Sequence, residues 1–149
     1  MDAQRLSELY RAVVMDHHRR PRGHGAPATF SAQAYGKNPV CGDEVTVYLI
    51  PCPQGGWETR WSGEGCAICR ASASILAESS RGLESPGQLA EEVLQHLRQT
   101  TPETEASPTL PESVKALGGS LAAAPSRRGC AVLPWTVFAE ACAKLLEKP

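Results

Sequence analysis

The stretch "EVTVYLIPCPQGGWETRW", residues 44–61, decides the fold. Its two ends, "EVTVYLI" and "WETRW", are short strand-like runs, and "PCPQGG" between them supplies the Pro and Gly of a hairpin loop. In the second run Trp57, Thr59 and Trp61 share one face and Glu58 and Arg60 the other, as a sheet covered by helices on one side requires. Upstream, "TFSAQAY" (29–35) reads as a further strand, so the three runs predict an antiparallel meander.

On both sides of this block the hydrophobic period changes to that of a helix. Leu6, Leu9, Tyr10, Val13, Val14 and His17 fall on one amphipathic stripe, which Pro21 and Gly23 bring to a stop. After Gly65 the stripe is Ile68, Ala71, Ser72, Ile75, Leu76 and Ser79, ending by Gly82. Ser85, Pro86 and Gln88 have the pattern of an N-cap, a first-turn proline and a capping-box partner. The helix they open carries Leu89, Ala90, Val93, Leu94 and Leu97 on its buried side. "QTTPETEASPTLP" (99–111) has three prolines and no apolar period, which predicts an exposed loop. A short helix over 112–117 ends at Gly118-Gly119. The last helix opens near Cys130 to Pro134 and shows Trp135, Phe138, Ala139, Cys142, Leu145 and Leu146 along one face. This order predicts an α+β fold, a three-stranded antiparallel sheet packed with helices and a long C-terminal helix, in one domain over residues 1–149.

The 149 residues are enough to bury about two-thirds of the surface of the unfolded chain. With 15 Lys+Arg against 16 Asp+Glu, no chain-wide basic field exists for nucleic acid or an anionic membrane, and neither partner is expected. No run of about 18 apolar residues occurs, and "MDAQRLSELY" lacks the basic start of a signal peptide, so the expected location is the cytoplasm. Six cysteines in a reducing compartment point to metal binding or thiol chemistry, not to a disulfide framework.

Their positions sort the cysteines. Cys142 lies in the apolar stripe of the last helix and behaves as a small hydrophobe. Cys52 sits between two prolines in the hairpin loop as an incidental exposed thiol. Cys41, Cys66, Cys69 and Cys130 occupy turns or helix beginnings, where backbone amides favour thiolates. Cys66 and Cys69 formally make a C-x-x-C, yet no βαβ unit precedes it and no second C-x-x-C exists for a zinc knuckle. Position 69 is also one turn into its helix, so its sulfur is expected along the helix side. Cys41, Asp43 and Cys66 are the more coherent set: Gly42 lets the turn bend, and the hairpin returns the chain from 41 to 66 at the same end. Cys130 completes a Cys3Asp tetrahedron, suited to zinc, with an iron-sulfur cluster as the competing occupant.

Four motifs, in order, resemble those of the SufU/IscU proteins of iron-sulfur cluster assembly, relatives of the N-terminal domain of NifU. They are "LYRAVVMDHHRRPRGHG" (9–25), "NPVCGDEVTV" (38–47), "GEGCAICRASASILAE" (63–78) and "SRRGCAVLPW" (126–135). The resemblance implies an α+β domain with a metal site at Cys41, Asp43, Cys66 and Cys130. The long segment between Cys66 and Cys130 is similar to the insertion of the SufU branch, and "PETEASP" belongs to it. IscU-type proteins place a His before the third cysteine and carry "LPPVK"; this chain has Gly129 there and lacks the peptide. Arg127 resembles an arginine typical of SufU.

In that branch the resemblance implies a zinc-dependent sulfur acceptor, sulfurtransferase-like and not a stand-alone enzyme. It is served by a PLP-dependent cysteine desulfurase of the SufS type and followed by downstream Suf cluster-assembly components or apoproteins. Zinc keeps the thiols deprotonated, and Cys41, released from zinc, attacks the outer sulfur of the desulfurase persulfide while Arg127 steers the anion. The alternative is a scaffold holding iron or a transient [2Fe-2S] cluster on the same four ligands. Two departures stand out: Cys69 where relatives usually have Ser, and Gly129 where SufU proteins commonly have a basic residue.

"DHHRRPRGHG" (16–25) gathers three of the four histidines and three arginines. It reads as the end of the first helix, where cations complement the dipole, with partner docking as the functional alternative. His17 continues the apolar stripe as a satisfied core histidine, and His96 needs no special role.

Overall fold

The computed structural model describes residues 3–99 and 107–147. The elements are α1 (Ala3–Arg19), β1 (Ala32–Asn38), β2 (Asp43–Pro51), β3 (Trp57–Glu64), α2 (Ala67–Ser79), α3 (Pro86–Gln99), α4 (Glu112–Ala123), a 3-10 turn (Pro125–Arg127) and α5 (Arg128–Glu147). The sheet runs in the order β1-β2-β3 and is antiparallel throughout, with Ala34 opposite Val47 and Val47 opposite Trp61. The meander and the long last helix agree with the α+β expectation.

Alternation in β2 decides which way the sheet faces. Asp43, Val45, Val47 and Leu49 are buried, while Glu44, Thr46, Tyr48 and Ile50 are half-exposed. The inward row meets α5, which packs on β1, β2, α2 and α3. By length and composition Pro125–Glu147, α5 with the turn before it, is apolar enough to cross a membrane. Here it is the core helix: Ala131, Trp135, Val137, Phe138 and Ala141 are all buried.

Helix α2 lies in the middle of the molecule and is buried nearly all round, at Cys69 and from Ala71 to Ala77. The stripe read from the sequence was therefore too narrow, because "ASAS" supplies side chains small enough for α1 and α5 to close on it from two sides. Ser72 reinforces one of these contacts: its hydroxyl donates to the Ala131 carbonyl at 2.6 Å, locking α2 to the first turns of α5.

Other boundaries also move. The fourth helix does not end at Gly118-Gly119 but runs through both to Ala123. A side-chain carbon on Gly119 would collide with the Tyr10 ring and one on Gly118 with His96, so these glycines serve close packing within a helix. The last helix starts at Arg128, upstream of Cys130, and carries Pro134 inside it. Leu146 is 89% exposed, and Leu6 and Leu9 are also exposed; the apolar stripes outrun the neighbours that cover them. Residues 100–106 of the expected exposed loop lie outside the described residues, and at its far end Leu110 is buried in the core.

Candidate metal centre

Three chain segments meet at one end of the sheet. The first is the β1–β2 turn. Asn38 and Asp43 close the ladder, the Gly42 amide donates to the Asn38 carbonyl at 2.7 Å, and the Val40 amide donates to Asn38 Oδ1 at 3.1 Å. Gly42 has φ +76, a conformation that side-chain-bearing residues rarely adopt, and it lets the chain reverse within this short turn. Cys41 is left exposed at the tip, while Asp43, the first residue of β2, points inward and is 1% exposed.

The second segment is the entry to α2. Cys66 is its N-cap residue, and the Cys66 amide donates to Asp43 Oδ1 at 2.9 Å. A carboxylate at this place faces the partial positive charge of the helix start. Gly65 is needed for the approach, since a Cβ there would stand 2.9 Å from Asp43 Oδ1 and 3.1 Å from the Cys69 sulfur. The third segment is the start of α5, which places Cys130 so that its thiol donates to Cys41 Sγ at 3.3 Å.

The sulfurs of Cys41 and Cys130 and a carboxylate oxygen of Asp43 all lie within 4.8 Å of one another. Cys66 stands outside that tight group but interacts with Cys130 from the α2 side. Burial raises the Cys130 thiol well above its ordinary value, and its hydrogen bond with Cys41 and the nearby Cys66 thiol raise it further. Arg127, exposed just before α5, is held more firmly protonated by its hydrogen bond to Cys130 and by the negative ends of Cys66 and Cys41.

The donor set can be tested for metal binding. Asp43 Oδ2 is buried and has no hydrogen-bond partner among the described residues, a costly arrangement for a carboxylate oxygen. Two sulfurs stand beside that carboxylate, and a cation between them would satisfy it. Three sulfurs and one carboxylate are a donor set that zinc accepts in tetrahedral geometry and that iron-sulfur chemistry also uses. The residues fit such an occupant.

The structure thus brings together Cys41, Asp43 and Cys130, with Cys66 and Arg127 at the margin. It separates Cys52 and Cys142 from this group and keeps Cys69 beside it. Cys142 is buried, its thiol pushed up to about 12 by burial, as a core residue would be. Cys52 is half-buried in its loop and not fully exposed. Cys69 does not point along the helix side: its sulfur turns back toward Gly65, and its thiol is pushed up to about 12 by burial and by the Asp43 carboxylate. What the sequence did not reveal is the support beneath the site. Ser72 ties α2 to α5, and the only trace in the sequence is a small polar residue inside an apolar stripe.

At the other end of α2 the basic stretch is largely structural. His17 is 3% exposed, and its Nδ1 shares a 2.7 Å hydrogen bond with Ser74 Oγ. Ser74 also accepts the Arg22 amide at 2.8 Å, and the Arg22 side chain pairs with Asp16 and Glu78. His96 is half-buried over Gly118.

What the fold and site define is a sheet-and-helix domain with a cysteine-aspartate cluster where a β-turn and two helix starts converge. The family model described as NifU-like N terminal domain matches residues 9–148, and the chain belongs to that family. It is 30% identical over 139 residues to the zinc-dependent sulfurtransferase SufU of Bacillus subtilis (strain 168), covering 93% of this chain and 92% of that protein. It is also 30% identical over 142 residues to the iron-sulfur cluster assembly scaffold protein IscU of Streptococcus pyogenes serotype M1, covering 95% and 87% respectively. A crystal structure from Fervidobacterium islandicum AW-1, described as a scaffold protein for the SUF system, superposes with a TM-score of 0.68 at 27% identity, over 87% of this chain and 93% of that one. A NifU-like N-terminal protein from Brucella abortus shares the fold, with a TM-score of 0.78 at 19% identity, over 96% of this chain and 98% of that one.

Proposed function

We propose that this protein works in iron-sulfur cluster biogenesis as a zinc-dependent sulfur acceptor. In this reading it takes persulfide sulfur from a PLP-dependent cysteine desulfurase of the SufS type and passes it to downstream assembly components or apoproteins in the cytoplasm. The observation that carries the reading is the unequal exposure of the ligand set. Asp43 and Cys130 are buried, with Asp43 Oδ2 unpartnered, while Cys41 is exposed at the tip of its turn. Such a site can keep its anchor residues covered and offer one sulfur outward.

Cys41, Asp43, Cys66 and Cys130 would hold zinc. When bound, zinc supplies a positive charge that keeps the thiols deprotonated and the turn in place. The chemistry belongs to Cys41. Its thiolate attacks the outer sulfur of the donor persulfide, a new Sγ–S bond forms, the donor's S–S bond breaks, and the donor cysteine leaves as a thiolate. Sulfur is transferred without net oxidation, and Cys41 becomes the persulfide. Arg127, exposed beside Cys130 and Cys66, meets the anionic persulfide as it arrives.

The IscU relative supports a second reading, in which the same four residues assemble a labile [2Fe-2S] cluster for transfer to apoproteins. The two readings part in one experiment. A sulfur acceptor raises turnover of a SufS-type desulfurase, and Cys41→Ala abolishes that increase. Desulfurase turnover indifferent to the wild-type protein sinks the first reading. A cluster reconstituted from iron and sulfide, and transferable to an apoprotein, promotes the second.

A further inference from the structure

The C-x-x-C of Cys66 and Cys69 contributes only its first cysteine to the sulfur-acceptor reading. Cys66 is the N-cap of α2, so Cys69 is the third residue of the helix. At helical pitch two such α-carbons are about 5 Å apart, inside the span of a disulfide. Helical side chains lean toward the N-terminus, and Cys69 does so: its sulfur would stand 3.1 Å from a Cβ on Gly65, the residue just before Cys66. The absent side chain at Gly65 leaves this space open. Access to the two thiols is unequal, with Cys66 half-buried at the turn and Cys69 1% exposed beneath it. The remaining two sulfurs of the site, Cys41 and Cys130, already face each other at 3.3 Å.

We propose that Cys66 and Cys69 form a redox-active dithiol that small-molecule disulfides close into an intramolecular disulfide. The accessible Cys66 thiolate attacks one sulfur of a disulfide RSSR, forming Cys66–S–SR and expelling RS⁻. Cys69 gives up its proton and attacks the Cys66 sulfur, forming the Cys66–Cys69 bond and expelling the second RS⁻. The two cysteines lose two electrons and two protons, and RSSR becomes two RSH. A consequence, which rests on Cys66 being a metal ligand as proposed above, is that the disulfide and the bound metal exclude each other.

The test uses the full-length protein, stripped of metal by a chelator and exposed to glutathione disulfide. Remaining thiols are then alkylated and the cysteine peptides mapped by mass. The wild type should yield a Cys66–Cys69 link, and Cys69→Ser should retain a glutathione adduct on Cys66 that the wild type does not keep. The Cys41→Ser/Cys130→Ser double variant, with only this pair left in the site, should still form the link. Recovery of Cys66 and Cys69 both alkylated in the wild type, or of Cys66 joined to Cys41 or Cys130, overturns the proposal. A parallel sample loaded with zinc should resist oxidation at Cys66. If it closes as fast as the metal-free protein, the Cys66 ligand assignment fails while the dithiol stands.

Discussion

The two ends of helix α2 bury polar groups in different surroundings. Toward its C-terminus, Ser74 is bonded to both His17 Nδ1 and the Arg22 amide, and Thr59 Oγ1 meets Ser80 Oγ at 2.8 Å. Those hydroxyls and that imidazole nitrogen find partners within the chain. At the N-terminal end Asp43 gives one oxygen to the Cys66 amide and leaves the other buried without a partner, beside sulfurs that make few strong hydrogen bonds. The Ser74 and Ser80 bonds stabilise the fold; the Asp43 carboxylate leaves an oxygen free for a ligand. Ser79 Oγ, at the C-terminal end, is also buried without a partner among the described residues, so an unmet valence alone marks no site. At Asp43 it coincides with two sulfurs within 4.8 Å of the carboxylate, and that coincidence is what points to a ligand.

Substitutions at the two ends should therefore break different properties. The largest effect belongs to Asp43→Ala, which removes the carboxylate and should weaken zinc binding by more than the roughly 10–100-fold typical of losing an outer partner. A competition titration against a chromophoric chelator measures it, and unchanged affinity would erase the distinction between the two ends. Ser74→Ala should do the reverse, leaving zinc affinity alone but destabilising the protein by about 1–3 kcal/mol, because the Arg22 amide and His17 each lose a buried partner. Denaturant midpoints check it, and a loss of metal affinity in this variant would show that the two ends are one network.

A smaller effect comes from pH. Burial, with help from Arg22, lowers the His17 imidazole below its ordinary value of 6.5, and burial lowers His96 as well. Both are more easily protonated in the unfolded chain than in the folded one. Their contribution is complete above the ordinary imidazole value and is lost as pH falls through the lowered folded values. Denaturant midpoints should decline as pH falls below the ordinary imidazole value of 6.5. The decline should flatten in His17→Gln; an equal decline in that variant would remove His17 as a cause.

Much of this was readable in the chain because it depends on local pattern. "EVTVYLI" and "WETRW" have the composition of strands, the loop between them has turn residues, and the meander follows. Cys41, Asp43 and Cys130 were readable as one set because a tight turn and a helix start are local features, while their meeting needed the hairpin to return the chain. The extent of α4 was not readable. Gly118-Gly119 looks like a stop until Tyr10 and His96, distant in sequence, are seen to need the space. The direction of the Cys69 sulfur was misread for a related reason: helical side chains lean backward, and a turn with a glycine at 65 leaves room for one to do so. Leu146 shows the converse, an apolar residue in phase with its helix yet beyond the reach of anything that covers it.

The central claim is that Cys41, Asp43, Cys66 and Cys130 hold one metal ion, and cobalt(II) substitution tests it most directly. Cobalt reports each bound thiolate through its charge-transfer absorption. The wild type should take up one cobalt per chain, with that absorption falling in each of Cys41→Ser, Cys66→Ser and Cys130→Ser and unchanged in Cys52→Ser and Cys142→Ser. A wild-type protein that binds no cobalt, or a spectrum indifferent to loss of the three site cysteines, would contradict the account.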